Sequence, residues 1–266
     1  MQRVLVTGAY GGMGKCVVNV LKRSGFCVFA LDKKVGKAEQ NVIPIECDLT
    51  DIQSVKNAFE QVKEKTESLY AILHFAGIYV LDSLVEVDEE KFSSAFEVNL
   101  FGAYRVNKTF LPLLKNGSKI IITTSELAPL DPLPFTGIYA VTKSALDKYA
   151  YSLRMEVQLL GIKVAVLRPG AVNTGMLGVS TKQLDKFCED TQVYKCNARR
   201  FKSIVNRVEA RNIPAEKVAK KTLKILSKKN PRHVYNINRN PLLLLLNVLP
   251  KRLQTAIIRK ILKEKG

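Results

Sequence analysis

Tryptophan is absent from the 266 residues, histidine occurs only twice, and no apolar run is long. Two imidazoles cannot build a histidine-rich metal centre. The five cysteines, Cys16, Cys27, Cys47, Cys188 and Cys196, contain no C-x-x-C pair, so no metal site is expected. Their odd number and scattered spacing point to buried thiols in a reducing compartment rather than to a disulfide framework. The longest aliphatic stretch, residues 242–246, is far shorter than the roughly 20 residues that cross a bilayer. The first strand pattern starts at Arg3 and leaves no room for a basic leader, an apolar segment and a cleavage site, so a cytoplasmic location is expected.

What is present is an ordinary globular composition, 47% hydrophobic and 25% charged, enough to bury a full core. The charge is less ordinary: 42 Lys and Arg against 24 Asp and Glu give +18. Residues 1–194 carry 22 basic and 21 acidic side chains and are nearly neutral. Residues 195–266 carry 20 basic side chains against Glu209, Glu216 and Glu264, a net +17. One region of the chain is therefore built to face something anionic.

Apolar, β-branched runs at 4–6, 28–31, 42–45, 69–75, 119–123, 162–167 and 233–237 read as seven strands. Most are continuous rather than alternating, as expected for strands covered on both faces. Helical periodicity fills 14–23, 52–65, 91–114, 139–160 and 215–228. This alternation predicts an α/β fold: a Rossmann-type, doubly wound, seven-stranded parallel sheet with helices on both faces and ligands at the carboxyl ends of the strands. Two regions break the alternation. Residues 171–213 form an insertion of weak periodicity at the ligand edge, expected to be a substrate lid, and residues 240–266 form a tail beyond the last strand. The expected organisation is a dinucleotide-binding and catalytic domain over 1–239, followed by a basic amphipathic tail.

The string Thr7-Gly8-Ala9-Tyr10-Gly11-Gly12-Met13-Gly14 follows a strand and opens a helix. Glycines there allow a tight turn and a close approach to a pyrophosphate, whose charge is met by helix N-terminal amides. Asp32 ends the second strand, where a carboxylate can accept from both adenosine ribose hydroxyls and repel a 2′-phosphate. NAD is therefore favoured over NADP, although Lys33 and Lys34 could pair with a phosphate. Tyr139 and Lys143, four residues apart at the start of a helix, share one face. A cation held near a phenol lowers its pKa toward useful proton transfer. Ser125, at the end of the fifth strand, can reach the same edge, with Thr124 beside it as a substitute. His74, in a buried-strand pattern, reads as a satisfied core histidine.

Taken together, these residues resemble the classical short-chain dehydrogenase/reductase family, over residues 2 to about 237. Thr7, Gly8, Gly12 and Gly14, with Met13 among them, look like its cofactor glycine motif. Asp48-Leu49 looks like its adenine-contacting pair, and Asn99 like its helix asparagine. Ser125, Tyr139 and Lys143 match its catalytic trio, and Pro169-Gly170 with Thr174 match its nicotinamide-edge motif. The resemblance implies that Tyr139 acts as acid or base on the reacting oxygen while Ser125 orients it. It implies that Lys143 holds the nicotinamide ribose and lowers the Tyr139 pKa, that Asn99 holds a relay water through its helix backbone, and that Thr174 binds the carboxamide. One departure stands out: Phe75-Ala76-Gly77 replaces the family's Asn-Ala-Gly. Ala76 and Gly77 still allow a cofactor to approach, but the asparagine's support of the sheet is missing.

In the tail, Leu253, Ala256, Ile257, Ile258, Ile261 and Leu262 share a helical face. Lys251, Arg252, Arg259, Lys260, Lys263 and Lys265 occupy the rest. Such a helix suits either an anionic membrane surface or packing on its own domain or a sister subunit. An apolar-Pro-basic tail and the segment from Arg168 to Met176 resemble the hydroxysteroid and retinol branch of the family. The leading expectation is an NAD-dependent oxidoreductase interconverting a secondary alcohol and a ketone on a steroid-like or other lipophilic substrate. The enzyme is expected to be a homo-oligomer with a peripheral membrane contact through 240–266. Basic residues in the insertion (Lys195, Arg199, Arg200, Lys202, Arg207 and Arg211) keep open a small polar or CoA-linked 3-oxo/3-hydroxy substrate. A non-catalytic anion- or membrane-binding protein is a third reading. Nucleic acid is disfavoured because few aromatics interleave the basic residues.

Overall fold

Val4, Leu5 and Val6 expose no surface, and neither do residues 28–31 or 71–73. Strands apolar on both sides need helices on both sides. A computed structural model describes residues 1–209 and 211–263, with side chains at all of these except 175–181 and 207–209. Met176, Arg207 and Lys265 fall outside the described side chains.

In chain order the elements are β1 (Arg3–Thr7), α1 (Gly12–Arg23), β2 (Cys27–Asp32), β3 (Val42–Glu46), α2 (Ile52–Lys63), β4 (Leu69–His74), α3 (Glu89–Phe96), α4 (Gly102–Phe110), β5 (Leu114–Thr123) and α5 (Gly137–Val157). There follow β6 (Lys163–Pro169), β7 (Val172–Asn173), α6 (Gly175–Asp190), α7 (Lys195–Glu209), β8 (Ile213–Pro214), α8 (Ala215–Leu226), β9 (Val234–Ile237), α9 (Pro241–Val248) and α10 (Lys251–Leu262). Seven strands form one parallel sheet in the order β3-β2-β1-β4-β5-β6-β9. The chain leaves β3 at one edge and re-enters beside β1 as β4. The loops after β1 and β4 therefore diverge and open a crevice at the strands' carboxyl ends.

On one face Val17, Val18 and Leu21 of α1 pack with Val218, Ala219, Ile225 and Leu226 of α8. On the other, Val55, Ala58 and Val62 of α2 meet Val106 and Phe110 of α4 and Leu146, Ala150 and Val157 of α5. Phe75 packs into the first of these cores, and its N–H donates to the Thr7 carbonyl at 3.0 Å. Packing thus occupies the position where an asparagine would have supported the sheet. The five cysteines are free; Cys27 and Cys47 are buried and the other three half-buried.

One expectation needs correction, and the insertion and tail, whose packing the sequence leaves open, take definite form. The helix expected over 91–114 is divided: a π-helical turn, Glu97–Phe101, separates α3 from α4, and a 3-10 turn containing Pro112 ends the helix. β5 accordingly starts at Leu114, five residues early. The weakly periodic insertion contains two helices, α6 and α7, and its ends are joined by the short parallel pair β7-β8. Its apolar residues gather around a loop side chain that precedes α5: Phe135 packs against Phe187, Tyr194 and Phe201 at ring-centroid distances of 4.7, 5.2 and 5.4 Å. The tail forms α9 and α10, and α10 folds back onto the insertion. Asn197 donates to the Leu262 carbonyl at 2.7 Å, and Arg200 donates to the Lys263 carbonyl.

One buried ion pair clips α5 to β6. The Arg168 guanidinium donates to both Asp147 oxygens, at 2.9 and 2.6 Å, and the Thr124 hydroxyl donates to the same carboxylate at 3.2 Å. Removing one partner strands a buried charge. Asp147→Ala is expected to lower stability by about 3–5 kcal/mol in urea unfolding, with much of the loss recovered when Arg168→Met is added.

Candidate active site

The first turn after β1 is set by backbone contact. Gly8 has φ +65°, and a side chain there would come within 2.5 Å of the Ala76 nitrogen; one on Gly14 would overlap the Gly8 carbonyl. Thr7 is buried, and its hydroxyl accepts from the Ala76 N–H at 3.4 Å. These contacts bring the β1 and β4 loops together. No side chain caps α1, whose N-cap is Gly11, so its first-turn amides are available to an anion. Gly12 lies against the Thr174 side chain. Asp32 accepts the Tyr10 N–H at 2.9 Å and the Lys33 N–H at 2.8 Å, which fixes its carboxylate at the end of β2.

Lys33, whose side chain is 59% exposed, pairs with Asp48 at 2.9 Å. Asp48 is further held by the Thr50 N–H and hydroxyl, at 2.9 and 2.7 Å. Partial burial raises the Asp48 carboxyl, but Thr50 and Lys33 outweigh it and leave the group below the ordinary carboxylate range. Leu49 turns into the core beside Gly102, so only its backbone faces the loop; its carbonyl accepts from Arg105 at 3.2 Å.

At the centre, α5 begins at Gly137, which puts Tyr139 in its first turn and Lys143 one turn later. The Ser125 hydroxyl accepts the Leu127 N–H at 3.1 Å and lies near enough to the Tyr139 hydroxyl to draw its pKa down. The Lys143 ammonium donates to the Thr123 carbonyl at 3.4 Å and lies 5.7 Å from the Tyr139 ring centroid. Asn99, in the π-helical turn, accepts the Ile78 N–H at 2.8 Å and donates to the Ile78 carbonyl and the Thr142 hydroxyl, both at 3.0 Å. A side chain on Gly77 would sit 3.1 Å from Asn99 Oδ1 and 3.2 Å from Lys143 Nζ, so glycine keeps that approach open. Thr124 is occupied by Asp147, which leaves Ser125 as the hydroxyl facing Tyr139.

The electrostatics correct one expectation. Burial pushes the Tyr139 phenol up to about 12, with Ser125 pulling the other way, and burial brings the Lys143 ammonium down to about 8. Lys143 is buried and Tyr139 half-buried, so each is pushed toward its neutral form, and desolvation outweighs the attraction expected between them. The phenol is therefore a proton donor at neutral pH. His74, read as a core residue, is held near 4 by burial, and its Nε2 meets Asn107 Oδ1 at 2.9 Å.

Met13, Gly77, Ser125, Tyr139, Lys143, Pro169, Gly170 and Thr174 all line one cavity of about 550 Å³. Asp32, Asp48 and the glycine turn apart from Met13 lie outside its lining. The remaining walls are apolar: Phe201 and Ile204 of α7, Leu243, Leu246 and Leu249 around α9, and Ile258 of α10. Among the described lining residues, Lys143 and Glu126 are the only ones that carry charge. Sequence reasoning missed Glu126, although it adjoins Ser125. It also missed Tyr79, whose ring lies 4.8 Å from that of Tyr139. The basic insertion residues face elsewhere: Lys202 pairs with Asp185 at 2.5 Å, and none of the described ones lines the cavity.

A parallel doubly wound sheet, a glycine-cornered crevice and a phenol beside an ammonium define a dinucleotide-dependent oxidoreductase. The family model for short chain dehydrogenase matches residues 2–185, and the chain belongs to that family of NAD(P)-dependent enzymes. It is 27% identical over 231 residues to a 3-ketodihydrosphingosine reductase of Bacteroides thetaiotaomicron, covering 86% of this chain and 85% of that protein. It is 32% identical over 208 residues to estradiol 17-beta-dehydrogenase 2 of Mus musculus, covering 71% of this chain but 55% of that longer protein. Among solved structures, a short chain dehydrogenase from Burkholderia cenocepacia in complex with NADP superposes with a TM-score of 0.73 at 22% identity, covering 99% and 100% of the two chains. A 3-ketoacyl-(acyl-carrier-protein) reductase from Brucella melitensis complexed with NADH gives 0.72 at 19% identity, covering 89% and 95%.

The glycine cradle, the uncapped α1 terminus and the Asp32 carboxylate fit a dinucleotide. Lys143 burial also has a measurable consequence. With its pKa near 8 instead of the ordinary 10.5, the ammonium costs on the order of 3 kcal/mol at pH 7. That cost fades as pH rises from about 8 toward 10.5, where the folded protein has shed a proton that the unfolded chain still holds. Lys143→Met is expected to unfold at higher urea than the parent at pH 7, with the advantage shrinking by pH 10. Equal stability at pH 7 would contradict this.

Proposed function

We propose that the protein is an NAD-dependent dehydrogenase/reductase that interconverts a secondary alcohol and a ketone on a steroid-like or other lipophilic substrate. The observation that carries the reading is the cavity: its reactive end holds Ser125, Tyr139 and Lys143, and its far wall is aliphatic. The names of two relatives, a ketosphingosine reductase and an estradiol dehydrogenase, are compatible with a bulky apolar substrate. A CoA-linked substrate would need cations at the cavity, and among the described lining residues Lys143 is the one cation.

When bound, the nicotinamide supplies or accepts the hydride. Thr7, Gly8, Gly12, Met13 and Gly14 would hold the pyrophosphate end, Asp32 the adenosine ribose, Asp48, Leu49 and Ala76 the adenine side, and Gly77, Pro169, Gly170 and Thr174 the nicotinamide end. Ser125 orients the reacting oxygen by hydrogen bond. Tyr139, protonated at neutral pH, gives its proton to that oxygen as it gains charge in reduction, and takes it back in oxidation. Lys143 holds the nicotinamide ribose and faces the phenolate formed in the step. Asn99, through the carbonyl that a π-helical turn can release, would hold the water that returns the proton. The Asp32 carboxylate supports NAD over NADP.

We also infer two surfaces of contact. Leu242 and Leu245, which also border the cavity, and Val248 are 61, 64 and 82% exposed along one side of α9, and Arg252, Arg259, Lys260 and Lys263 gather along α10 and its end, which suits an anionic lipid surface. No helix among the described residues is long and apolar enough to cross a membrane. Exposed Phe101 and Tyr104 beside α4, with Tyr151 and Met155 of α5, suit a second copy of the chain.

Tyr139→Phe is expected to lower kcat/KM by about 10²–10⁴-fold with cofactor affinity retained. Full activity would refute the mechanism. Asp32→Ala is expected to shift the NAD to NADP preference at least tenfold toward NADP. NADH formation across steroid and long-chain secondary alcohols tests the substrate class, and turnover confined to acetoacetyl-type compounds would overturn it.

A further inference from the structure

Glu126 follows Ser125 directly, yet nothing in the proton-transfer scheme uses it. The residue is 7% exposed, and with Lys143 it is one of the two charged groups among the described residues of a largely apolar lining. One carboxylate oxygen, Oε2, accepts the backbone N–H of Asn240 at 2.6 Å. The other lies so close to Gly170 that a side chain there would come within 2.7 Å of it. The Glu126 N–H donates to the Pro169 carbonyl at 2.9 Å, which fixes the residue between the serine loop and the end of β6. Burial pushes the carboxyl up, against the pull of the Asn240 N–H and Arg239.

Asn240 is the N-cap of α9: its Oδ1 accepts the Leu242 N–H at 2.9 Å. The same loop grips the other end of α9. The Asp131 N–H donates to Asn247 Oδ1 at 2.8 Å, and the Asp131 carboxylate pairs with Lys251. Between these ties, Leu243 and Leu246 face the cavity. A helix whose inner residues are all aliphatic has no directional contact with a lipophilic ligand, so its position is set by its polar ends. Of the ties, Glu126 is the buried one, and it is covalently next to the serine that faces Tyr139.

We propose that Glu126 is a positioning residue that seats α9 against the serine loop and thereby sets selectivity for substrates long enough to touch that helix. The selectivity half rests on reading the cavity as the substrate site; the seating half does not. The test compares the full-length enzyme with Glu126→Ala, with Glu126→Gln, whose amide oxygen can still accept from Asn240, and with Asn240→Pro. The last removes the N–H at a φ of −81°, which proline tolerates, and Asn240→Ala controls for the lost cap.

Amide exchange of residues 240–250 without substrate is expected to quicken at least tenfold in Glu126→Ala and Asn240→Pro. It should stay within about twofold in Glu126→Gln, with exchange in the sheet unchanged. The ratio of kcat/KM for a long against a short secondary alcohol is expected to fall about tenfold through KM, and to be restored in Glu126→Gln. Unchanged exchange at 240–250, or faster exchange throughout the molecule, overturns the seating role; should Glu126→Ala fail to fold, Asn240→Pro decides. Faster local exchange with an unchanged ratio overturns the selectivity role. If the parent enzyme turns over neither alcohol, the cavity reading fails, and the exchange measurement still decides the seating role.

Discussion

The Lys143 ammonium has been taken out of water with a backbone carbonyl, not a carboxylate, as its partner. A cation in that position is disfavoured, and the surrounding fold is arranged to keep it there. The Asp147–Arg168 clip fixes α5 against β6. Asn99 ties the loop after β4 to Thr142, next to Lys143 in the helix. Gly77 leaves the space that the ammonium borders. Each of these stabilises an arrangement that the lysine itself opposes, the usual relation between a functional charge and the scaffold that carries it.

Much of the scaffold was legible in the sequence because its signals are local. Continuous apolar strands such as the one through Val4 and Val6 announce burial on both faces, and the turn from Thr7 to Gly14 announces a crevice beside a helix terminus. The four-residue interval between Tyr139 and Lys143 fixes a shared helix face. What failed to show depends on neighbours distant in the chain. The π-helical turn at Asn99 is one inserted residue in an otherwise regular pattern. The insertion looked aperiodic because Phe187 and Phe201 pack on Phe135, outside their own helices. Residues 242–246 are apolar on every side and so cannot reveal which side faces inward.

The protonation of Tyr139 shows the same limit at the level of chemistry. Spacing correctly brings a cation near the phenol. Only the folded cavity reveals that desolvation acts on both groups and outweighs their mutual attraction. Lys33 is a parallel case, since its position after β2 invites a phosphate partner while the fold gives it Asp48. Local sequence thus specified which groups meet, and long-range packing decided the state in which they do so.

The two histidines have a consequence beyond the site. Burial lowers both His74 and His233 below the ordinary imidazole range. These are the only two histidines in the chain, so their protonation adds at most two charges to the molecule's +18. Its large positive charge is then nearly constant across mildly acidic and neutral surroundings. Attraction to an anionic surface would be tuned by ionic strength, through a screening length of about 8 Å at physiological salt, and not by acidification.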